Sequence, residues 1–252
     1  MPLLGRDAAG QLEVFGRTWW RLVPGHASLG RIRRRAAELV RWDRFSRPAL
    51  DNLDAKLAQY LPERPGIFVE AGAHDGYLQS NTYYLERMKG WKGVLVEPIP
   101  ELYARCVKER LGSRVFNCAL VSEDYSDATV DMEFGDLYSV VSGSGRVGPA
   151  AADEHIAASG AARYVVRVPA RTLSSVLDEA GVDAIDFLSL DVEGYELEVL
   201  KGLDLERHRP RYMLIEMLDA AYSRSRVEAM IAHRYDLLAE LTPRDFLFAL
   251  RD

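Results

Sequence analysis

Residues 186–200 read DFLSLDVEGYELEVL, and the fold class can be predicted from the pattern of these residues. A short, mostly apolar run ends in Asp191, Gly194 permits a tight turn, and apolar residues then recur at helical spacing after Tyr195. A buried strand that leads directly into a helix is typical of a parallel sheet covered by helices on both faces. The stretch therefore predicts an α/β fold with Asp191 at the carboxyl end of a strand.

The same alternation of short apolar runs and helical segments holds from Gly66 onward. The predicted strands are Ile67–Glu70, Val94–Glu97, Val115–Val121, Phe187–Asp191 and Tyr212–Met217. The predicted helices between them are Asn81–Lys89, Pro100–Leu111, Thr172–Ala180, Tyr195–Leu203 and Ser223–His233. The last apolar runs, Tyr235–Leu241 and Phe246–Leu250, are joined by a short connection, which favours an antiparallel pair. We therefore expect a doubly wound, mostly parallel sheet that finishes in an antiparallel hairpin.

Residues 1–62 precede this pattern and are predicted to form a helical extension to the main domain, residues 63–252. Between Arg31 and Arg47 the local net charge is +5. We expect an amphipathic helix here, with an Arg-rich outer face and an apolar stripe that comprises Leu29, Ile32, Ala36, Leu39 and Val40. Such a charged face can contact an anionic membrane surface or a phosphorylated substrate, although most are only solvated.

The composition narrows the classes of function. The chain has 252 residues and a net charge of −6, which argues against a dedicated nucleic-acid-binding protein. No apolar run is long enough to span a bilayer, and Met1–Gly10 lacks the apolar stretch of a signal peptide. Cys106 and Cys118 are too few for a disulfide framework or a zinc site. We expect a cytoplasmic, globular protein with a small-molecule partner, and a homodimer is an open alternative.

The segment 135–163 is rich in Gly and Ala and lacks a sustained period. Long irregular insertions in compact domains are often functional loops, and loops on this side of such a sheet line the ligand crevice. We therefore predict a substrate lid, in which His155 is a candidate base.

The turn after the first predicted strand reads Glu70-Ala-Gly72-Ala-His74-Asp-Gly76. Gly72 and Gly76 allow a tight turn and close approach of a ligand to the backbone. The order Gly-x-His-x-Gly differs from the Gly-x-Gly-x-x-Gly of dinucleotide sites, and the carboxylate of Glu70 would repel a pyrophosphate. The motif therefore favours a cofactor that carries positive charge, such as S-adenosylmethionine.

The next two strand ends supply further polar groups. Glu97 lies 21 residues after Gly76, is followed by Pro98, and is placed to accept hydrogen bonds from a ribose diol. Asn117, on the third strand, has both a donor and an acceptor with which to bind an adenine edge.

Further motifs stand at or near the same strand ends: Glu70-x-Gly72, Ser80-Asn81-Thr82, Trp91-Lys92-Gly93, Glu97-Pro98, Asn117-Cys118-Ala119, Arg171-Thr172-Leu173 and Phe187–Glu198. Together they resemble the FkbM family of S-adenosylmethionine-dependent methyltransferases. The resemblance implies the class I, Rossmann-like methyltransferase fold, a seven-stranded sheet whose last strand is antiparallel. It also implies that Glu70, Gly72, Glu97 and Asn117 surround the cofactor, with Ser80 or Asn81 near its methionine end. His74 departs from the family, where Asn is common.

The resemblance implies methyl transfer to a hydroxyl group of a sugar, a glycoside or a related small metabolite. Open alternatives are a nitrogen, peptide or lipid acceptor, and a cofactor-binding protein without catalysis. Asp191 ends the fourth predicted strand and Glu216 ends the fifth, and such a pair of carboxylates can hold Mg²⁺. A bound Mg²⁺ would activate the acceptor hydroxyl. A general base without a metal is the rival mechanism, so Asp191, Glu216 and His155 are the candidate catalytic residues.

Overall fold

The computed structural model describes residues 26–135, 138–141, 164–217 and 220–251. They belong to two compact units, which divide between Ser46 and Arg47. Within the described residues, no helix has both the length and the apolar character needed to cross a bilayer.

The first unit contains the predicted N-terminal helix, α1, which spans His26–Leu39. Its faces differ from the prediction, because members of the expected apolar stripe such as Ile32 and Leu39 are exposed. Glu38 is buried instead, paired with Arg35 at 3.3 Å and accepting a hydrogen bond of 3.1 Å from the hydroxyl of Ser46. These partners compensate the carboxylate, which makes its burial tolerable.

The second unit is built on a seven-stranded sheet. In spatial order its strands are β10 (Tyr235–Glu240), β11 (Asp245–Leu250), β9 (Tyr212–Glu216), β8 (Phe187–Leu190), β1 (Ile67–Ala71), β2 (Lys92–Val96) and β3 (Arg114–Phe116). β11 is antiparallel to both of its neighbours, and all other pairs in this sheet are parallel. The predicted class I methyltransferase fold, with its antiparallel C-terminal hairpin, is confirmed.

Helices cover both faces of this sheet. They are α2 (Leu53–Leu57), α3 (Tyr83–Lys89), α4 (Pro100–Glu109), α5 (Leu173–Ala180), α6 (Glu196–Lys201) and α7 (Ala220–Ile231). Successive residues of a strand point to opposite faces. Val69 accordingly packs against the side of α5, α6 and α7, and Phe68 against the side of α2 and α3.

The two compact units divide after Ser46, whereas the sequence predicts a boundary between the extension and the main domain at residue 62. Residues 47–62 belong to the second unit, because Leu53, Leu57 and Leu61 are buried in one core with Phe68 and Trp91. Local amphipathic spacing predicts that a segment has a buried face, but it does not reveal which core buries that face.

A second sheet follows β3. Its strands, in spatial order, are β4 (Ala119–Leu120), β7 (Tyr164–Arg171), β5 (Thr129–Gly135) and β6 (Tyr138–Val141). The prediction of one continuous strand at Val115–Val121 is wrong, because the chain leaves the main sheet at Asn117. The predicted irregular segment 135–163 begins with β6, and the rest of it, including His155, lies outside the described residues.

Candidate functional site

A cleft opens at the carboxyl ends of β1, β2 and β8. β1 lies between β2 and β8 in the sheet, which is the point where the order of connections reverses and where ligands bind in open α/β sheets. Most of the predicted cofactor residues line this cleft: Glu70, Gly72, His74, Ser80, Asn81, Glu97, Pro98 and Asp191. Apolar residues of α4, β4 and β5 complete the lining, among them Leu102, Leu120 and Met132.

Gly72 lets the ends of β1 and β8 approach each other. Its φ is +85°, and a Cβ atom there would lie 1.8 Å from the carbonyl oxygen of Asp191. The backbone N–H of Asp191 donates to the carbonyl of Ala71 at 3.1 Å, so the two strand ends are joined at this point. Gly76, by contrast, is outside the lining, and the Cβ it lacks would lie 2.8 Å from Cγ of Arg110. Gly76 therefore packs closely against Arg110, and its predicted contact with the cofactor stays a prediction.

The carboxylate of Glu70 is fully engaged within the protein. It accepts hydrogen bonds from the hydroxyls of Ser80 (2.9 Å) and Thr82 (2.6 Å), from the backbone N–H of Asn81 (3.0 Å), and from the guanidinium of Arg110 (3.1 Å). Glu70 therefore does not present the free negative charge that the sequence suggested. Arg110 compensates it, and no motif had singled out Arg110.

Asn81 lines the cleft and has an unused hydrogen-bond acceptor. Its amide nitrogen donates to the hydroxyl of Ser189 at 3.1 Å, while its Oδ1 is buried and has no hydrogen-bond partner among the described residues. Ser80, beside it, is used differently, because its hydroxyl accepts from the backbone N–H of Tyr83 (3.0 Å) at the start of α3 and donates to Glu70. Of this predicted pair, Asn81 is the one with a free binding group.

Glu97 is buried at the end of β2, and its two oxygens accept from the backbone N–H groups of His74 and Ile99, both at 2.8 Å. Burial raises the pKa of its carboxyl to about 7, although these two hydrogen bonds act in the opposite direction. The ring nitrogens of His74 are buried nearby, and its Nδ1 lies 3.7 Å from a carboxylate oxygen of Asp75.

Asn117 is outside the lining of the cleft, and its predicted contact with the adenine stays a prediction. Its amide nitrogen donates to the backbone carbonyls of Glu97 and Pro98, both at 2.8 Å. These bonds join Asn117, directly after β3, to the backbone that follows β2. Cys118, the next residue, lines the cleft instead.

Asp191 and Glu216 meet at neighbouring strand ends, as predicted, because Leu190 of β8 is in register with Ile215 of β9. Burial, the charge of Glu216 and a hydrogen bond between the two carboxyl groups raise the pKa of Asp191 well above its ordinary value. Asp191 lines the cleft and Glu216 does not. Asp191 is thus the member of the pair that lines the cleft, and its carboxyl keeps its proton to a higher pH than an ordinary aspartate does.

Two more acidic residues surround this pair. Burial, followed by the charge of Glu216, raises the pKa of Glu193 to about 8, and burial raises that of Glu196 to about 7. Among the described residues, however, no three or more His, Cys, Asp or Glu side chains are grouped so as to hold a metal ion. The predicted Mg²⁺ site therefore gains no support beyond the pair itself.

Residues 70–244 match the family model of the methyltransferase FkbM domain. The methyltransferase sdnD of Sordaria araneosa is 28% identical over 253 residues, a match that covers 83% of this chain and 94% of that protein. Among solved structures, the methyltransferase FkbM of Methylobacillus flagellatus is 13% identical with a TM-score of 0.45. That match covers 96% of this chain and 63% of the other. A TehB-like S-adenosylmethionine-dependent methyltransferase of Corynebacterium glutamicum is 11% identical with a TM-score of 0.42, over 91% of this chain and 100% of the other.

Proposed function

Because the chain belongs to the FkbM family of methyltransferases, we propose that it transfers a methyl group from S-adenosylmethionine to a hydroxyl group of a sugar, a glycoside or a related small metabolite. Family membership is the basis for assigning methyl transfer as the reaction and S-adenosylmethionine as the cofactor. The hydroxyl acceptor is our inference from the acidic pair at the cleft.

The residues of the cleft fit this cofactor, which supplies a methyl group bound to a positively charged sulfur. The buried, unpartnered Oδ1 of Asn81 is an acceptor suited to the ammonium of the methionine part. The carboxylate of Glu97 can accept hydrogen bonds from the ribose hydroxyls in addition to those from two backbone N–H groups, since each carboxylate oxygen has two acceptor positions. Gly72 keeps the backbone between these two ends free of a side chain.

The observation that carries the hydroxyl acceptor is the pairing of Asp191 with Glu216. A sugar hydroxyl is a weak nucleophile until its proton is removed, and a carboxylate with a raised pKa is a stronger base than an ordinary one. Asp191 faces the cleft, so we assign it the removal of this proton. Glu216 acts through Asp191 as a positioning residue, because its charge holds the pKa of Asp191 high. The chain then aligns the oxygen with the methyl group, which is the main contribution an enzyme makes to a displacement of this kind.

The apolar wall formed by α4 and the second sheet supports a small acceptor of mixed polarity. Leu102, Leu120 and Met132 form an apolar wall to the cleft, and Asp191 and Glu193 line it with carboxyl groups. A sugar ring presents both C–H and O–H groups, so it matches such a surface. Mg²⁺ assistance, a cytoplasmic location, a homodimer and a membrane contact through α1 stay predictions.

Calorimetric titration with S-adenosylhomocysteine, with NAD⁺ as the control, tests the cofactor assignment. We expect micromolar binding of the first ligand only, and no binding of S-adenosylhomocysteine would overturn the proposal. Transfer of labelled methyl groups is then measured on glycosides and on the matching amino sugars, with Mg²⁺ or with a chelator. Labelled hydroxyls support the proposal, whereas label only on nitrogen contradicts it. Unchanged turnover in the chelator would exclude the Mg²⁺ mechanism.

A further inference from the structure

Arg110 follows α4 and is among the largest fully buried side chains of the described residues. Its Nε donates to Glu86 at 2.8 Å, and its Nη2 donates to the hydroxyl of Thr82 at 2.8 Å. Its Nη1 contacts Glu70 at 3.1 Å, the hydroxyl of Ser80 at 3.1 Å and the carbonyl of Gly76 at 3.3 Å. A guanidinium has five N–H donors in a fixed planar fork, so such a set of partners restricts its geometry closely.

These partners surround one short segment of the cleft lining. Gly76 begins the segment and Thr82 ends it, and between them Leu78, Gln79, Ser80 and Asn81 line the cleft. Gln79 has a φ of +58°, a conformation that side-chain-bearing residues adopt only when their surroundings hold them in it. Arg110 bonds to the segment at both ends and through Ser80, so it supplies such surroundings.

Arg110 also sets the charge of this region. Glu70 and Glu86 are both buried, and each forms an ion pair with the guanidinium, at 3.1 and 2.8 Å. Burial of charged groups is costly and often adds little net stability. A role in fixing geometry next to the cleft gives this arrangement a function beyond stability.

We propose that Arg110 is a positioning residue for the amino-acid half of the cofactor. It does not line the cleft itself. It fixes residues 76–82, which include Asn81 with its buried, unpartnered Oδ1, the acceptor that we assign to the ammonium of the methionine part. It also neutralises the charge of Glu70. The inference rests on the proposed function, because it takes S-adenosylmethionine as the ligand.

Arg110 contacts the part of the cleft that we assign to the amino-acid half of the ligand and not the part that we assign to the ribose. The hydrogen bonds of Arg110 within the described part of the chain end on Glu86 and on the β1 side of the cleft, whereas Glu97 and Pro98, which we assign to the ribose, are held by other groups. Disturbing Arg110 should therefore weaken ligands that carry the amino-acid part. It should spare 5′-methylthioadenosine, which lacks that part and retains the adenosine.

The test is calorimetric titration of the full chain with S-adenosylhomocysteine and with 5′-methylthioadenosine. Arg110→Lys keeps the charge but not the fork. We expect its dissociation constant for S-adenosylhomocysteine to rise at least tenfold, and that for 5′-methylthioadenosine to stay within threefold. Arg114→Lys is the matched control, because Arg114 lies on β3 and pairs with the exposed Glu179, and we expect both constants to stay unchanged.

A second variant allows the inference to be tested even if Arg110→Lys does not fold. Thr82→Val removes one acceptor of Arg110 and one donor to Glu70 at almost constant volume, and Thr82 is outside the cleft lining. We expect the same selective loss from it, in a smaller measure, with cooperative thermal unfolding retained. Equal weakening of the two ligands, or of neither, in both variants would overturn the inference. Failure of the unmodified chain to bind S-adenosylhomocysteine would instead overturn the proposed function.

Discussion

The carbonyl oxygen of Asp191 occupies the space that a side chain on Gly72 would need, only 1.8 Å from the position of its Cβ atom. The turn that follows β1 and the carboxyl end of β8 are therefore in direct contact. Since Gly72 belongs to the proposed cofactor site and Asp191 is the proposed base, the two functions of the cleft share one rigid junction.

This contact makes Gly72→Ala costly. The new methyl group would meet backbone, and the residue would also keep a φ of +85°, so we expect the free energy of unfolding to fall by about 3 kcal/mol or more. Gly181→Ala is the control, because Gly181 has a φ of +66° but no atom within 4 Å of the Cβ position, and only the conformational cost of about 1–2 kcal/mol applies. Urea denaturation compares the two variants, and equal losses would contradict the close contact.

Glu97 should make cofactor binding depend on pH. Its carboxyl has a pKa of about 7 because it is buried, and hydroxyl donors from a ribose stabilise the ionised form. The dissociation constant of S-adenosylhomocysteine should therefore fall as the pH rises from about 6 to 8 and level off above that range. Calorimetric titrations at several pH values measure this dependence.

Glu97→Ala should weaken the same ligand by about 1.5–3 kcal/mol, which is roughly 10- to 150-fold. Most of the pH dependence between 6 and 8 should disappear in this variant. An affinity equal to that of the unmodified chain would remove Glu97 from the site.

Asp191→Asn should remove catalysis and spare the cofactor. Without its base, turnover should fall by about 10²- to 10⁴-fold, while the affinity for S-adenosylhomocysteine stays within about threefold. The base must be ionised to act, so the rate of the unmodified enzyme should rise with pH through the raised pKa of Asp191. Full turnover by the Asn variant would refute the assignment.

Glu216→Gln tests the coupling between the two carboxyl groups. The substitution removes the charge that, after burial, contributes most to raising the pKa of Asp191. The rising limb of the pH–rate profile should therefore move to lower pH, and the rate above the limb should fall because the base is weaker. A limb that does not move would show that Asp191 titrates independently of Glu216.

Asn117→Asp tests whether this side chain serves the fold or the adenine. Loss of the amide donors would leave the carbonyls of Glu97 and Pro98 facing a carboxylate, so the free energy of unfolding of the ligand-free protein should fall by about 1–3 kcal/mol. Chemical denaturation measures this loss. An unchanged stability would favour the ligand contact that the sequence suggested.

The sequence predicts well what short-range pattern controls. Apolar runs that end in a carboxylate or a glycine turn predict where the strands lie. Parallel pairing of β8 with β9 is then enough to place Asp191 next to Glu216. The same reasoning overlooked Arg110, because its acceptors lie 24 to 40 residues away along the chain and leave no local spacing to detect. Sequence reasoning also extended the third strand through Asn117. The reason is that β propensity does not take into account a side chain that donates to the backbone next to the neighbouring strand.

Because the chain leaves the main sheet after β3, one wall of the cleft is built on separate strands. Leu120 of β4 and Met132 of β5 stand on the second sheet, while Gly72, Glu97 and Asp191 stand at the ends of the first. In the function that we propose, the acceptor lies against this wall, so substitutions in the second sheet can change the acceptor and leave the cofactor half under its own constraints. For an engineer, the same separation marks β4 and β5 as the strands to randomise when a new acceptor is sought.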